Sequence, residues 1–411
     1  MNKYMFFHNV ILLVFPLLFF CQTCREGRNK NDIFSICDTE KNMLQEWINK
    51  VSSKEYFIED SQLSAPHSCR GDLLRSAQSC SWGGCDEDHS GPGSLVLPGD
   101  RGVLEGEWTR GQLGGRVTHT PGDGEAETSL YHNSCPQPGL VTRESEDWTI
   151  VTSRDPASGL VSGPAWLLYS HGEGALYTEL GEETGGTSLS LALFTGQSVT
   201  WLYPDLSTGL TGHFVAGTML SASEAEVSSV SMSDSASIPK LMIRKKENSD
   251  VYKFDPSTDV HLSSDPLVRD PYEKELLDVT ESGVPGAGMG VFARRSLDNN
   301  TIVGYFNGVH RDRAEVLSSK GKKSVYLVEG TWEGEMLDIP EEFTSWTSYR
   351  ASAGHLINHS TESNVDYMEC RHPRFGHILC VVTTRKIGAG KELFVKVREV
   401  DTLSKAFILF C

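Results

Sequence analysis

Gly354-His355-Leu356-Ile357-Asn358-His359-Ser360, with Asn364 and Tyr367 shortly after, is the stretch on which the reading of this chain turns. Asn358, His359 and Ser360 put three hydrogen-bonding side chains in a row. That is an odd choice for an interior strand and suits a ligand edge; a plain polar turn is the other reading of this segment taken alone. Upstream lie Gly286-Ala287-Gly288-Met289-Gly290-Val291-Phe292 and Thr301-Ile302-Val303-Gly304-Tyr305-Phe306-Asn307-Gly308-Val309. Downstream lies Arg385-Lys386-Ile387-Gly388-Ala389-Gly390-Lys391-Glu392-Leu393-Phe394-Val395. Clustered glycines ahead of an apolar strand let backbone groups approach a ligand closely. The cluster at Gly286 lacks the dinucleotide-binding spacing and an obvious following helix, which excludes a Rossmann unit.

In this order, the clusters resemble the SET domain, the fold of protein lysine methyltransferases, from about Asp250 to Lys396. Within that family the chain is similar to the branch that joins MORN repeats to a SET domain and monomethylates lysine 4 of histone H3. Val251-Tyr252-Lys253-Phe254-Asp255-Pro256-Ser257-Thr258, Asp270-Pro271-Tyr272-Glu273 and Arg371-His372-Pro373-Arg374-Phe375-Gly376 carry that closer likeness. The resemblance implies S-adenosylmethionine as cofactor and no metal. It implies that Ala287, Gly288 and Met289 hold the amino-acid end of the cofactor through their backbone. Asn358 and His359, with His355 nearby, would contact its methionine and adenine parts. His359 and Tyr367 are the implied catalytic residues, and Phe306 and Tyr367 would line the channel for the substrate lysine.

The chain departs from the family at three places. Phe306 stands where the family has a channel tyrosine, while Tyr305 beside it should point the other way along a strand. Loss of that hydroxyl would loosen the methylation state or slow the reaction. Val397 and Glu399 stand in place of a tyrosine-x-tyrosine, and a short tail to Cys411 replaces a segment that carries an aromatic lid. One explanation is intron read-through from Val397. Taken as written, these changes imply a catalytically impaired or truncated scaffold that binds proteins without turnover as the alternative function.

Ahead of the SET-like region, Val103-Leu104-Glu105-Gly106-Glu107-Trp108-Thr109-Arg110-Gly111 and Gly209-Leu210-Thr211-Gly212-His213-Phe214-Val215-Ala216-Gly217 share a leucine, glycine, aromatic, glycine pattern. Gly174–Gly181 is a weaker third copy. The glycines suit hairpin turns and close strand approach. We read the leucine and the aromatic as facing opposite sides of the strand. The segments resemble MORN repeats in degenerate form, with a glycine-rich sheet of no repeat ancestry as the other reading. Ser221–Ser237 holds eight serines and no aromatic residue. It reads as a linker.

The expected fold is therefore mainly β: an N-terminal antiparallel sheet of MORN-like hairpin repeats, then a β-rich SET domain. The expected units are an apolar segment over 1–24, a region of low structure over 25–90, and the β-repeat domain over 91–220. A linker over 221–239, a pre-SET strand region over 240–274, the SET domain over 275–398 and an atypical tail over 399–411 complete the chain.

The composition of the 411 residues is that of a globular protein, with 38% hydrophobic and 22% charged residues. It excludes wholesale disorder and a polytopic membrane protein. The net charge is −18, and residues 1–239 hold 14 Lys+Arg against 30 Asp+Glu. An acidic front half repels a phosphate backbone, so direct nucleic-acid binding is not expected. It favours basic partners, such as the histone H3 tail and other basic protein substrates, or serves only solubility. A monomer is expected.

Ten cysteines do not make a disulfide scaffold. Cys69, Cys80, Cys85 and His89 form a loose cluster whose spacing argues against zinc. Cys21-Gln-Thr-Cys24 is the only C-x-x-C pair, and Arg70-Gly71-Asp72 reads as a chance tripeptide. Met5–Phe20 is apolar behind Lys3 and resembles a secretory signal peptide, although Cys21-Gln22-Thr23 is a poor cleavage site. A mis-assigned start is the other reading. Nucleus and chromosome are the expected locations, with the cytoplasm as a second compartment and the secretory pathway as the alternative.

Overall fold

A computed structural model describes residues 36–53, 79–81, 89–122, 126–155, 158–181, 188–232, 238–318, 324, 326–330, 334–396, 398–399 and 407–408. The apolar segment, Cys21–Cys24, Cys69, Cys85, the Arg-Gly-Asp tripeptide and most of the tail lie outside these residues. The protein is mainly β.

Among the described residues, the amino-terminal half forms one antiparallel sheet. Thirteen strands follow in chain order from Ser79–Cys80 to Pro239–Lys245, each bonded to the next. Glycine spacing sets the tight corners. Arg110 and Gly111 have φ of 49° and 73°, and Ala216 and Gly217 have 46° and 79°. Two consecutive positive φ values define the hairpin turn whose twist matches that of the flanking strands. The leucine and aromatic of each unit share a face, which corrects the expectation of opposite faces. Four positions is an even count, so a period of two returns the side chain to the same side. Leu104 and Trp108 pack in one core, and Leu210 and Phe214 in another.

The described part of the serine-rich segment, 221–232, is strand rather than linker. Thr218–Met232 is a 15-residue strand that pairs with Thr208–Val215 on one side. On the other side it meets Pro239–Lys245 and Val251–Tyr252. Its small residues alternate with Ala222, Ala225, Val227 and Val230, all buried. Small side chains suit a strand packed between neighbours as well as they suit a spacer. The pre-SET region begins as the last strands of this sheet. The region of low structure also contains a helix, Asp38–Ser52. Leu44, Trp47 and Val51 recur at helical spacing and are buried, and Trp47 meets Trp166 with ring centroids 5.4 Å apart.

The carboxyl half is built from short sheets. Leu277–Glu281 pairs with Met289–Ala293. A five-stranded sheet runs in the order Ile302–Phe306, Gly376–Thr383, Val365–His372, Phe394–Val395, Asn358–His359. Its closing strand, Phe394–Val395, inserts parallel to both neighbours. That insertion draws the Asn-His-Ser segment, the Tyr367 strand and the chain's end into one place. Cys370 and Cys380 form a disulfide between the second and third of these strands.

The two halves share a core. Tyr203 of the large sheet stacks on Tyr272, centroids 5.2 Å apart and nearly coplanar. The Tyr203 hydroxyl donates to Asp270 Oδ2 at 2.6 Å, and His372 Nε2 lies 3.1 Å from the same oxygen. The N–H groups of Arg374 and Phe375 reach His372 Nδ1. Nδ1 is therefore the acceptor, and Nε2 carries the proton given to Asp270.

Glu273, one turn beyond, is fully buried and accepts the Tyr305 N–H. Burial, with the Asp270 charge adding to it, raises its carboxyl from 4.5 to about 8. A raised carboxyl contributes stability that is complete below the unfolded value and is lost as pH rises through the folded one. Unfolding midpoints measured from pH 5 to 9 should therefore fall with rising pH in the parent and less steeply in Glu273→Gln. Parallel profiles would contradict the assignment.

Candidate functional site

Two glycines shape the first wall. Gly286 and Gly288 have φ of 79° and 78°, a region other residues rarely adopt. They turn the chain so that Ala287 and Met289 border a cavity of about 470 Å³. All eight residues singled out from the sequence line this one cavity: Ala287, Gly288, Met289, Phe306, His355, Asn358, His359 and Tyr367.

The contact that joins the distant segments is made by Asn358. Its Nδ2 donates to the Met289 carbonyl and to Glu392 Oε1, each at 3.0 Å. The Glu392 carboxylate also accepts Ser282 Oγ at 2.6 Å and the Gly283 N–H at 3.1 Å. A Cβ on Gly290 would sit 2.3 Å from Glu392 Oε1, so glycine is needed for the carboxylate to fit. Glu392 was legible only as part of a terminal motif, and its role as a clamp depends on contacts more than 100 residues away in sequence.

Phe306 and Tyr367 meet edge to face, centroids 5.6 Å apart. The Tyr367 hydroxyl donates to the Gly354 carbonyl at 2.8 Å, which fixes its oxygen at the cavity wall. Gly354 itself admits no side chain, since a Cβ would lie 2.6 Å from the Tyr305 carbonyl. Tyr305 points away from the cavity, against His372 with centroids 4.4 Å apart, as strand alternation requires. His359 lies on the strand paired to Val395 and borders the same space.

His355 is buried, and neither ring nitrogen has a hydrogen-bond partner. Burial lowers its pKa from 6.5 to about 3, and a contact with the Ser352 backbone offsets part of this. The ring is neutral at physiological pH, and its nitrogens are available to a ligand. Tyr326, Leu327, Val328 and Thr344–Thr347, including Trp346, complete the wall. Sequence reading missed them because they lie between the motifs and show no pattern of their own.

A second cavity of about 530 Å³ opens where the large sheet meets the carboxyl half. The sheet contributes Asp147, Tyr169, His171 and Glu173, and the other wall carries Glu329, Tyr367, Glu369, Arg371 and His377. Four carboxylates face one guanidinium. The Arg371 N–H donates to Glu173 Oε2 at 3.0 Å, and its side chain lies over the Tyr169 ring. Burial raises the carboxyls of Glu173 and Glu369, and in Glu369 the Glu335 charge adds to the effect. Tyr367 borders both cavities.

Among the described residues, no group of three His, Cys, Asp or Glu side chains could hold a metal ion. No helix there is long and apolar enough to cross a membrane.

Comparison with known proteins agrees with this geometry. Residues 288–396 match the SET domain family. Residues 162–236 match the family described as the histone H3 K4-specific methyltransferase SET7 N-terminal region. The histone-lysine N-methyltransferase SETD7 of Halocynthia roretzi is 36% identical over 201 residues, which cover 49% of this chain and 52% of the relative. The chain thus spans about half the length of that relative. Among solved structures, an active polycomb repressive complex 2 in the basal state shows 21% identity over 30% of this chain and 15% of its own, with a TM-score of 0.24. The complex ctPRC2 in an autoinhibited conformation bound to S-adenosylmethionine shows 20% identity over 29% and 15%, with a TM-score of 0.23. Over residues 288–396 the chain is thus similar to the SET domain, and with the matching segment ahead of it, over 162–236, it is similar to the SET7 group of histone-lysine methyltransferases.

Proposed function

We propose that the chain is an S-adenosylmethionine-dependent protein-lysine N-methyltransferase. Its substrates are lysines in basic protein segments, lysine 4 of the histone H3 tail first among them, and non-histone targets. It acts as a monomer, in the nucleus. The observation that carries this reading is the position of Tyr367, on the wall shared by a cofactor-sized cavity and an acidic cleft. The cleft's carboxylates suit a basic segment by charge complementarity.

The residues present fit the cofactor. The left-handed glycines bare the backbone beside Met289, and His355 offers unmatched ring nitrogens. When bound, S-adenosylmethionine would supply an electrophilic methyl group on a sulfonium. The task left to the protein is to position the amine and keep it neutral. Taking the proton from a lysine at pH 7 costs about 4–5 kcal/mol. Phe306 and the buried Tyr367 ring form a dry wall that disfavours the ammonium form and reduces this cost. The Tyr367 hydroxyl, held by its hydrogen bond to the Gly354 carbonyl, is the group on this wall that accepts an amine N–H and aims the nitrogen. Phe306 offers no such acceptor, so one orienting contact is missing and the wall leaves more room.

Radiolabelled methyl transfer to a histone H3 peptide tests the reading, with His359→Ala alongside. Labelling by the parent and its loss in the variant are expected; equal labelling by both would overturn the enzymatic reading. Phe306→Tyr should raise the monomethylated share of product seen by mass spectrometry, because a hydroxyl fills the space a second methyl group needs. A scaffold without turnover is the second reading, favoured by Phe306; binding of S-adenosylhomocysteine without labelling would identify it.

A further inference from the structure

Glu273 does not line the cavity, yet its carboxyl braces two segments that do. It is 1% exposed. Oε2 accepts the Tyr305 N–H at 2.9 Å, on the strand that ends at Phe306. Gly304 gives it room, since a Cβ there would lie 3.1 Å from the same oxygen. The carboxyl also contacts the backbone of Ala353, directly ahead of the turn Gly354–Leu356. That turn is pressed on the strand: a Cβ on Gly354 would lie 2.6 Å from the Tyr305 carbonyl and 3.0 Å from Phe306 Cα. The Gly354 carbonyl in turn receives the Tyr367 hydroxyl. A short chain of contacts thus leads from Glu273, through Tyr305 and Gly354, to the oxygen that faces the amine.

We infer that Glu273 is a positioning residue for methyl transfer: its neutral carboxyl holds the Phe306 strand against the Gly354 turn, and loss of its proton in alkaline solution loosens this brace and moves the Tyr367 oxygen off its aim. The inference rests on the methyltransferase reading above. Oε1 is buried without a hydrogen-bond partner, a placement that a neutral carboxyl tolerates and a carboxylate does not. The charged and titratable groups that face it are Asp270 and Arg269 on the segment ahead, Tyr305 on the strand and Tyr349 ahead of the turn. Burial and the Asp270 charge favour the neutral form; Arg269 and the two backbone contacts offset only part of this, and the carboxyl titrates at about 8. Once ionised, it gains the partners it lacks only by admitting water or by shifting the strand and the turn.

The test compares the full-length parent with Glu273→Gln, a permanently neutral isostere, in methyl transfer to a histone H3 peptide from about pH 6.5 to 9.5. Circular dichroism fixes a temperature at which both stay folded across that range. The ratio of the parent's kcat to the variant's cancels the titration of the substrate amine. It should fall about ten-fold from pH 7 to pH 9, the change in the neutral fraction of a group that titrates at about 8. KM for the peptide should change less than about two-fold, because the loss is one of aim and not of binding. A ratio constant within about two-fold would overturn the inference and leave the methyltransferase reading standing. Absence of labelling by the parent at every pH would remove both. If Glu273→Gln does not fold, the parent decides alone by NMR with ring-¹³C tyrosine, the Tyr367 resonance being assigned by its loss in Tyr367→Phe. That resonance should shift with a midpoint near pH 8, and a flat profile overturns the inference.

Discussion

Gly290→Ala is expected to abolish measurable binding of S-adenosylhomocysteine and to destabilise the carboxyl half by about 2–4 kcal/mol. A methyl group there meets the Glu392 carboxylate at 2.3 Å. A lone flexible carboxylate would swing aside at little cost. This one accepts bonds from Ser282, Gly283 and Asn358, so moving it breaks three at once. Bonds to a charged group are each worth about 1.5–3 kcal/mol, and water reaching this partly exposed rim replaces part of what is lost, so the total falls below their sum. Losing the Asn358 contact also frees the Met289 carbonyl from its partner across the cavity. Denaturant midpoints and calorimetry check both effects. Because the damage runs through one carboxylate, Gly290→Ala combined with Glu392→Ala should be no less stable than Glu392→Ala alone. Full additivity would show that Gly290 acts by another route.

Asp270→Ala should cost about 3–5 kcal/mol, the range for removing one partner of a buried charged network. Asp270 is buried and takes four donors: the Tyr203 hydroxyl, His372 Nε2 and the N–H groups of Tyr272 and Glu273. Tyr203 belongs to the large sheet and the other three to the carboxyl half, so the loss should loosen both units together. Burial alone would raise the Asp270 carboxyl. The hydrogen bond from His372, with those from Tyr203 and the Glu273 N–H, outweighs it and holds the pKa below 3.8. A lowered carboxyl contributes stability that is present above its unfolded value and is lost as pH falls through the folded one. Parent stability should therefore drop in acid, and Asp270→Asn should show a flatter profile below pH 4. Equal acid sensitivity of parent and variant would count against this role.

The two predictions concern residues with unequal sequence signals. Gly290 lies inside a glycine cluster that pointed to a ligand, and its neighbours do border the cavity. Asp270 was visible only in a family-like segment, with no hint of its partners. Tyr203 follows directly on the strand Gly196–Leu202, and nothing local shows that it reaches across to Asp270, 67 residues on. Thr218–Met232 shows the same limit from the other side. Its serines resemble a spacer, yet neighbouring strands on both sides satisfy its backbone and turn its alanines and valines inward.

The β class, the hairpin corners and the identity of the cavity-lining motifs are legible in the residues alone. These are short-range properties: alternation, left-handed glycine pairs and a run of polar side chains are each written within a few residues. Only the tertiary structure decided that Glu392 clamps Asn358 to the strand of Met289, that Trp346 and His355 share a wall, and that Tyr367 separates a cofactor-sized cavity from an acidic cleft half built by the other sheet. Those facts depend on packing and hydrogen bonds between segments tens to hundreds of residues apart, and no local pattern encodes which surfaces will meet.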